Sequence, residues 1–230
     1  MLVANKLCKK YKNKMAIRDV SFCISPGEIF CLLGQNGAGK TTTINIFLGL
    51  LKPSSGDALI NSVSVSNNKK IRNQIAYIPE TVQLYTDFTG IENLDFFSRL
   101  AGFKYVKNEL QSFLEQANLQ HDAHNKKLGT YSKGMRQKVS IAIALAKNAS
   151  YILMDEPTSG LDPKASLEFA KICKQLSNKG VGILMATHDI FNAVSIGSKI
   201  GIMKEGSIVY TTETSNITAQ ELQDLYIKTI

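Results

Sequence analysis

Apolar and polar positions alternate with a period of two over residues 2–33, a pattern that predicts β-strands. Ser25, Pro26 and Gly27 interrupt the pattern and mark a turn. The five residues Ile29–Leu33 are all apolar, which predicts a strand buried on both faces. A further strand is expected at residues 57–60, after the turn signal of residues 52–56. The first quarter of the chain is therefore predicted to be mainly β-structure.

The rest of the chain changes from a helical pattern to an alternation of strands and helices. Between about residues 88 and 148, apolar residues recur every three or four positions, which predicts helices. Apolar runs at residues 151–154, 181–185 and 199–203 predict strands, with a helix at about residues 164–178. Thr218 and Glu221 form a capping box before a short amphipathic helix. The pattern predicts an α/β unit over residues 1–210, with a helical insert at about 85–148 and a helical tail at 211–230.

A glycine-rich loop joins the strand Ile29–Leu33 to residues 42–51, which have the apolar spacing of a helix. Its sequence is Gly34-Gln35-Asn36-Gly37-Ala38-Gly39-Lys40-Thr41. Glycines let the backbone wrap tightly, so that successive N–H groups and the helix N-terminus point at one anion. Lys40 adds a positive charge for the outer phosphates, and Thr41 offers a hydroxyl to magnesium. The loop therefore predicts a polyphosphate site.

Two acidic residues, Asp155 and Glu156, follow the apolar run at residues 151–154. Open α/β sheets place their ligands at the carboxyl ends of strands, where these side chains are expected. Asp155 would hold magnesium, directly or through a water. Glu156 is then placed to orient or deprotonate an attacking water. His188 follows another apolar run, and it is predicted to reach the terminal phosphate.

Composition and charge exclude several other classes of protein. Hydrophobic residues make up 44% of the chain and charged residues 20%, as in ordinary globular proteins. The N-terminus lacks a secretory signal, and no apolar run approaches the roughly 18 residues of a membrane span. The four cysteines show no paired spacing, so a reducing compartment is expected. His121 and His124 lack the cysteine or acidic partners of a metal site, so no metal site is expected there. The net charge is +8, but the basic residues are scattered and not interleaved with aromatic residues, so nucleic acid is not expected as a partner. A solvated face, or a face near acidic lipid headgroups, explains the positive charge equally well.

Five motifs occur in an order and spacing that resemble the ATP-binding subunits of ABC transporters. They are residues 34–42, 131–137, 152–157, 159–162 and 187–189. The resemblance implies a P-loop NTPase core of mostly parallel sheet, an N-terminal antiparallel β subdomain and an inserted α-helical subdomain. It also implies ATP and Mg²⁺ as cofactors, with the nucleotide held by Gly34, Asn36, Gly37, Ala38, Gly39, Lys40, Thr41 and Thr42.

The resemblance extends to residues outside the glycine-rich loop. Tyr11 matches the aromatic residue that stacks on adenine, although an ordinary strand-end tyrosine remains an alternative. Ser132 and Gly134 match the signature motif, which in the family closes over ATP held by a second cassette. Asp162 matches the loop that crosses this interface. A head-to-tail dimer, expected to be a homodimer, follows from the resemblance.

Three positions depart from the family pattern. Lys133 replaces the first glycine of the signature Leu-Ser-Gly-Gly-Gln, and Met135 replaces its glutamine. Glu80 stands where the family usually has glutamine, and a carboxylate there can still bind water or magnesium. The departures at Met135 and Glu80 resemble the branch that works with exporter permeases.

The sequence thus predicts a cytoplasmic ATPase that docks on a separate integral membrane permease at the cytoplasmic face of the membrane. Leu84, Tyr85 and Phe88 could form an apolar groove for a partner helix, or pack inside the insert. A soluble single-cassette ATPase, such as one for iron–sulfur cluster assembly, is the alternative. DNA-repair members carry a long coiled-coil insert and translation members two cassettes, features that this sequence lacks. A non-catalytic nucleotide sensor is disfavoured because Asp155, Glu156 and His188 are all present.

Overall fold

The computed structural model describes the backbone of residues 1–230 and every side chain except that of Lys69. Its strands form two sheets, one that carries the glycine-rich loop and one built from the N-terminal segments. The strands are β1 (Leu2–Tyr11), β2 (Lys14–Ile24), β3 (Ile29–Leu33), β4 (Ser55–Ile60), β5 (Val63–Ser64), β6 (Ile75–Ile78), β7 (Tyr151–Asp155), β8 (Gly182–Thr187), β9 (Lys199–Lys204) and β10 (Ser207–Glu213).

The six-stranded sheet has the order β10-β9-β3-β8-β7-β6. Its strands from β9 to β6 are parallel, and β10 alone pairs antiparallel, with β9. Strand β3 therefore lies between β8 and β9, and its carboxyl end meets the ends of β7 and β8 at one edge of the sheet. This edge collects the glycine-rich loop, the acidic pair and His188, as the sequence predicts.

The second sheet has the order β2-β1-β4-β5 and is antiparallel throughout. Its long strands β1 and β2 are joined by a short turn, which places Tyr11 and Lys14 next to each other in the register. The predicted N-terminal antiparallel subdomain is confirmed.

The α-helices cover the faces of the parallel sheet and form the insert between β6 and β7. They are α1 (Lys40–Phe47), α2 (Gly90–Leu100), α3 (Lys107–Gln116), α4 (Lys133–Ala146), α5 (Pro163–Asn178), α6 (Ile190–Ile196) and α7 (Ala219–Thr229). Short 3₁₀ turns occupy Lys69–Gln74, His121–Ala123, Leu128–Thr130 and Thr214–Asn216. None of the helices in the described part of the chain has the length and apolar character needed to cross a bilayer.

Alternate residues of the central strand enter two hydrophobic clusters on opposite faces of the sheet. Ile29, Cys31 and Leu33 pack with the helical insert, α5 and α7, whereas Phe30 and Leu32 pack with α1 and the N-terminal sheet. All five side chains are buried. The continuous apolar run thus reflects burial on both faces, which is the reason it was predicted as a parallel strand.

Several element bounds differ from the sequence prediction. The helix after the glycine-rich loop begins at Lys40, two residues before the predicted start, and ends at Phe47 rather than residue 51. Gly49 adopts a φ of +66°, which turns the backbone out of the helix. Strand β10 continues to Glu213, so the predicted tail at 211–230 begins inside a strand. The capping box of Thr218 and Glu221 is present at the start of α7.

Two of the four cysteines are buried. Cys8, Cys23 and Cys31 lie on strands, but of these three only Cys31 is fully buried. Cys173 on α5 is also buried. Burial raises the pKa of Cys31 to about 12, so its thiol is a packing group rather than a reactive one.

Candidate functional site

The glycine-rich loop runs from the end of β3 into the first turn of α1. The Gly34 N–H donates to the Thr187 carbonyl at 3.2 Å, which anchors the start of the loop to β8. Gly37 and Gly39 have φ angles of +86° and +113°, values that favour glycine over any other residue. Gly39 immediately precedes α1, so the loop ends at a helix N-terminus. This geometry suits an anion above the loop.

Lys40 is held inside the site rather than extended into solvent. Its side chain is only 5% exposed. Its Nζ donates to the Gly34 carbonyl at 2.5 Å and to the Gln35 carbonyl at 3.3 Å. The same ammonium lies 3.3 Å from Glu156 Oε1. A buried positive charge therefore joins the glycine-rich loop to the end of β7.

Glu156 is fixed by contacts on both of its carboxylate oxygens. Oε2 accepts from the His188 backbone N–H at 3.3 Å and lies 2.8 Å from His188 Nδ1. Oε1 faces Lys40 without the geometry of a hydrogen bond, and it is buried with no hydrogen-bond partner among the described residues. The backbone φ of Glu156 is +46°, a conformation uncommon for a residue with a side chain. An acceptor oxygen held in this way can bind a water.

Asp155 is almost completely buried beside Glu156, with 8% of its surface exposed. Burial raises the pKa of its carboxyl above the ordinary value, and the neighbouring Thr41 hydroxyl opposes this shift. The charges of Glu156 and Glu80 raise the pKa further, whereas Lys40 lowers it. The site therefore concentrates negative charge and favours a cation.

One cleft of about 360 Å³ brings most of the predicted residues together. Of the predicted set it is lined by Tyr11, Asn36, Gly37, Gly39, Lys40, Thr41, Thr42, Glu80, Asp155 and Glu156. Gly34, Ala38 and His188 are not among its lining residues. Tyr11 lies at the rim, 43% exposed, with Lys9 Nζ 5.2 Å from its ring centroid.

Sequence reasoning missed three residues that line this cleft: Lys14, Ala16 and Gln35. Gln35 belongs to the glycine-rich loop but is not among the residues predicted to hold the nucleotide. Lys14 and Ala16 begin β2, and only the pairing of β1 with β2 places them beside Tyr11. No pattern in the sequence marks them.

Ser132, Gly134 and Asp162 do not reach this cleft. They line a separate pocket of about 160 Å³ between α4 and α5. Ser132 caps α4 by accepting from the Met135 N–H at 3.3 Å, and Asp162 caps α5 by accepting from the Ala165 N–H at 2.8 Å. Their predicted nucleotide contacts stay a prediction within the single chain.

Gln137 is the last residue of the motif at 131–137, and the sequence alone assigns it no role. It is fully buried, and its Nε2 lies within hydrogen-bond distance of the carbonyls of Pro79, Glu80 and Pro157, at 3.3, 3.5 and 3.2 Å. It therefore ties the end of β6 to the segment that follows Glu156. Its place on the buried face of α4, one turn before Ile141, is the signal that could have revealed it.

The residues present fit a magnesium ion by their donor chemistry. Thr41, Asp155 and Glu80 offer only oxygen donors, and Mg²⁺ prefers one or two carboxylates together with phosphate oxygens and water. Among the described side chains, no group of three or more His, Cys, Asp or Glu is arranged to hold a metal by itself. His124 is buried with Nε2 3.2 Å from the Leu119 carbonyl oxygen, whereas His121 is largely exposed.

Comparison with known proteins agrees with the geometry. Residues 17–159 match the model of the ABC transporter domain. The chain is 34% identical over 229 residues to the uncharacterized ABC transporter ATP-binding protein YxlF of Bacillus subtilis, covering 98% of this chain and 75% of the relative. It is 34% identical to the bacitracin transport ATP-binding protein BcrA of Bacillus licheniformis, covering 88% of this chain and 66% of BcrA.

Two solved structures show the same architecture. A structure described as the ATP-binding subunit of an ABC transporter superposes with a TM-score of 0.85 at 31% identity, over 99% of this chain and 98% of the other. A dimeric cassette described as a post-hydrolysis state bound to ADP and phosphate superposes with a TM-score of 0.83 at 28% identity, over 93% of this chain and 99% of the other. The chain therefore belongs to the ABC transporter family, in which it is an ABC ATPase cassette with a P-loop α/β fold.

Proposed function

We propose that two copies of this cassette meet head to tail, hydrolyse Mg-ATP between them, and so drive export of a substrate through a separate membrane permease. The observation that carries the hydrolytic part is the Glu156 carboxylate. One of its oxygens is held at His188, and the other is buried with no hydrogen-bond partner among the described residues. A carboxylate in this state is arranged to accept a proton from water.

The cleft supplies the remaining parts of a triphosphate site. The loop N–H groups and the N-terminus of α1 would bind the phosphates, and Tyr11 at the rim would stack on the base. Lys40 Nζ now contacts two loop carbonyls and Glu156, and a triphosphate would offer it a stronger, charged acceptor. Binding would thereby free Glu156 from its ion pair with Lys40.

Thr41, Asp155 and Glu80 would hold Mg²⁺ at the outer phosphates. When bound, the ion would offset part of the phosphate charge that these carboxylates otherwise repel. His188 would orient Glu156 and reach the terminal phosphate from the end of β8. In this arrangement Glu156 takes the proton of the attacking water.

A head-to-tail dimer would bring Ser132, Gly134 and Asp162 to ATP, since these residues lie outside the cleft of their own chain. Ser132 caps the 14-residue helix α4, whose N-terminus carries a positive partial charge of about half an elementary unit. That charge would be used if a second chain presented the phosphates of its ATP to it. The dimeric cassette among the structural neighbours supports this arrangement.

The surface most suited to a permease is an aromatic patch on the insert, formed by Tyr85, Phe88, Phe96 and Phe97. Tyr85 is 50% exposed, and its ring centroid lies 5.1 Å from those of both Phe88 and Phe96. Leu84, in contrast, packs against the core cluster, in line with the alternative of packing inside the insert, so it is not part of the patch. The patch follows Glu80 closely in the chain, and exposed apolar surface of this kind marks interaction sites.

Hydrolysis is tested by the variant Glu156→Gln. We expect turnover to fall about 100- to 10,000-fold, the usual contribution of a general base, while ATP binding persists. Glu115→Gln is the matched control, because Glu115 is exposed on α3 and does not line the cleft. Full turnover in Glu156→Gln would refute the role proposed for this residue.

Membrane coupling is tested by co-purification from detergent-solubilised membranes. We expect the chain to co-purify with a protein of several apolar spans, and Tyr85→Lys to weaken that association. Tyr210→Lys, on the exposed part of β10, serves as the control. A chain that never associates with a membrane protein would favour the alternative of a soluble single-cassette ATPase.

A further inference from the structure

Ser159, in the segment between β7 and α5, contacts an acidic residue on one side and a basic residue on the other. Its hydroxyl donates to Glu80 Oε1 at 3.0 Å. Its carbonyl accepts from Lys133 Nζ at 2.5 Å. Glu80 follows β6 and precedes the helical insert, whereas Lys133 is the first residue of α4, the last helix of the insert.

The segment that carries Ser159 is also the segment that follows Glu156. Buried Gln137 contacts the Pro157 carbonyl at 3.2 Å and the Pro79 carbonyl at 3.3 Å. Pro157 directly follows Glu156, and Pro79 directly precedes Glu80. The Ser159 N–H itself donates to the Glu156 carbonyl at 3.1 Å. A shift of Ser159 would therefore be passed to Glu156 through a single short turn.

The negative charge around the cleft favours a lysine beside Ser159. Asp155, Glu156 and Glu80 all line the cleft, and Lys40 forms an ion pair with one of them, Glu156. Glu80 adds one negative charge to this group, and Lys133 adds one positive charge on the far side of Ser159. Charge-assisted hydrogen bonds of this kind are about twice as strong as neutral ones.

We propose that Lys133, Ser159 and Glu80 form one charge-compensated bridge that positions Glu80 and the segment after Glu156 for ATP hydrolysis. The proposal rests on the proposed function of the cleft. It makes Lys133 a positioning residue that acts within its own chain, through Ser159, although it lies beside the signature residues Ser132 and Gly134. Both charged members are departures from the family pattern, and they act as a pair.

A double-mutant cycle tests the pairing. The single variants are Lys133→Met and Glu80→Gln, which remove each charge at similar volume, and the double variant carries both. Two residues bridged by one partner should be coupled, so the double variant should turn over at least about threefold faster than the product of the single effects predicts. Because Lys133 does not line the cleft of its own chain, Lys133→Met should lower kcat and leave KM for ATP within about twofold.

A second readout needs neither nucleotide nor magnesium. Urea unfolding of the four proteins of the cycle should show coupling of at least about threefold in the folding equilibrium constant. Since unfolding is measured without turnover, it tests the bridge separately from the proposed function of the cleft. A chain that lacked the proposed transport function could still show the bridge, and an active chain could lack it.

Controls distinguish the bridge from a general effect of charge. Ser159→Ala keeps both charges and the backbone carbonyl but removes the contact with Glu80, so it should abolish the coupling. Lys133→Arg keeps a donor and should restore kcat to within about threefold of the parent. Lys138→Met removes another lysine of α4, one that pairs with Glu168 at 2.7 Å, and it should combine with Glu80→Gln multiplicatively.

The proposal is overturned if the effects of Lys133→Met and Glu80→Gln multiply in either readout. It is also overturned if coupling persists in Ser159→Ala. A rise in KM with unchanged kcat in Lys133→Met would contradict it as well, because that result would place Lys133 on the nucleotide of the second chain.

Discussion

Replacing the two left-handed glycines of the loop by alanine separates backbone strain from steric contact. Gly37 has a φ of +86°, and a Cβ added there would meet no atom within 4 Å. Gly39 has a φ of +113°, and its Cβ would lie 2.6 Å from Met203 Cε and 2.7 Å from the Ala16 carbonyl oxygen. The Met203 side chain can move aside, whereas the Ala16 carbonyl belongs to β2 and cannot move without the strand.

The two costs follow from these contacts. Gly37→Ala should destabilise the fold by about 1–2 kcal/mol, the cost of a left-handed conformation for an L-residue. Gly39→Ala should add about 1–3 kcal/mol for the displacement of β2, a typical cost of overpacking. At about 2–4 °C per kcal/mol for a chain of this length, Gly37→Ala should lower Tm by about 2–8 °C and Gly39→Ala by clearly more.

Urea and thermal unfolding without nucleotide measure both variants. Alanine also restricts the unfolded chain, but this effect is the same at both positions and cancels in the difference between them. Gly39→Ala must therefore be the more destabilised variant. Equal stabilities, or a larger loss in Gly37→Ala, would refute the loop geometry on which the phosphate site depends.

Three further predictions concern the cleft and the signature helix. Lys40→Ala should weaken ATP binding about 100-fold or more, equivalent to about 2.7 kcal/mol, and calorimetry showing normal binding would contradict the phosphate role of Lys40. Gly134→Ala should raise the free energy of unfolding by about 0.5–1 kcal/mol, because the new methyl would lie at an ordinary contact distance of 3.4 Å from Ala165 Cβ. The same variant should block ATP-dependent dimerisation, measured by light scattering. Asp155→Asn should raise the unfolding free energy at pH 7. Burial raises the pKa of Asp155 above its unfolded value of 3.8, so the ionised carboxylate present at pH 7 destabilises the fold, and asparagine removes that charge. That gain should shrink as the pH falls through the folded pKa, and a gain independent of pH would show that charge is not its cause.

The sequence predicted the parallel sheet and the phosphate loop because both follow from local patterns. Ile29–Leu33 is apolar throughout since it is buried on both faces, and the loop between it and α1 needs glycine at positions with positive φ. Asp155 and Glu156 could be placed because strands of a parallel sheet end at one edge. These predictions depend on residues that lie within a few positions of each other.

The parts that escaped prediction depend on contacts between distant segments. Lys14 and Ala16 reach the cleft only because β2 folds back on β1. The bridge at Ser159 joins residues that are 79 and 26 positions away in the chain. Strand β10 was missed because its residues are largely exposed, so its pattern does not resemble that of a buried strand. Patterns within a single sequence carry no information on such contacts between distant segments.

Sedimentation velocity of the Glu156→Gln chain with Mg-ATP tests most directly whether two chains enclose the nucleotide. With hydrolysis blocked, we expect the chain to sediment as a dimer in the presence of ATP and as a monomer without it. A chain that binds ATP, as shown by calorimetry at the same concentration, and still sediments as a monomer would contradict the head-to-tail site.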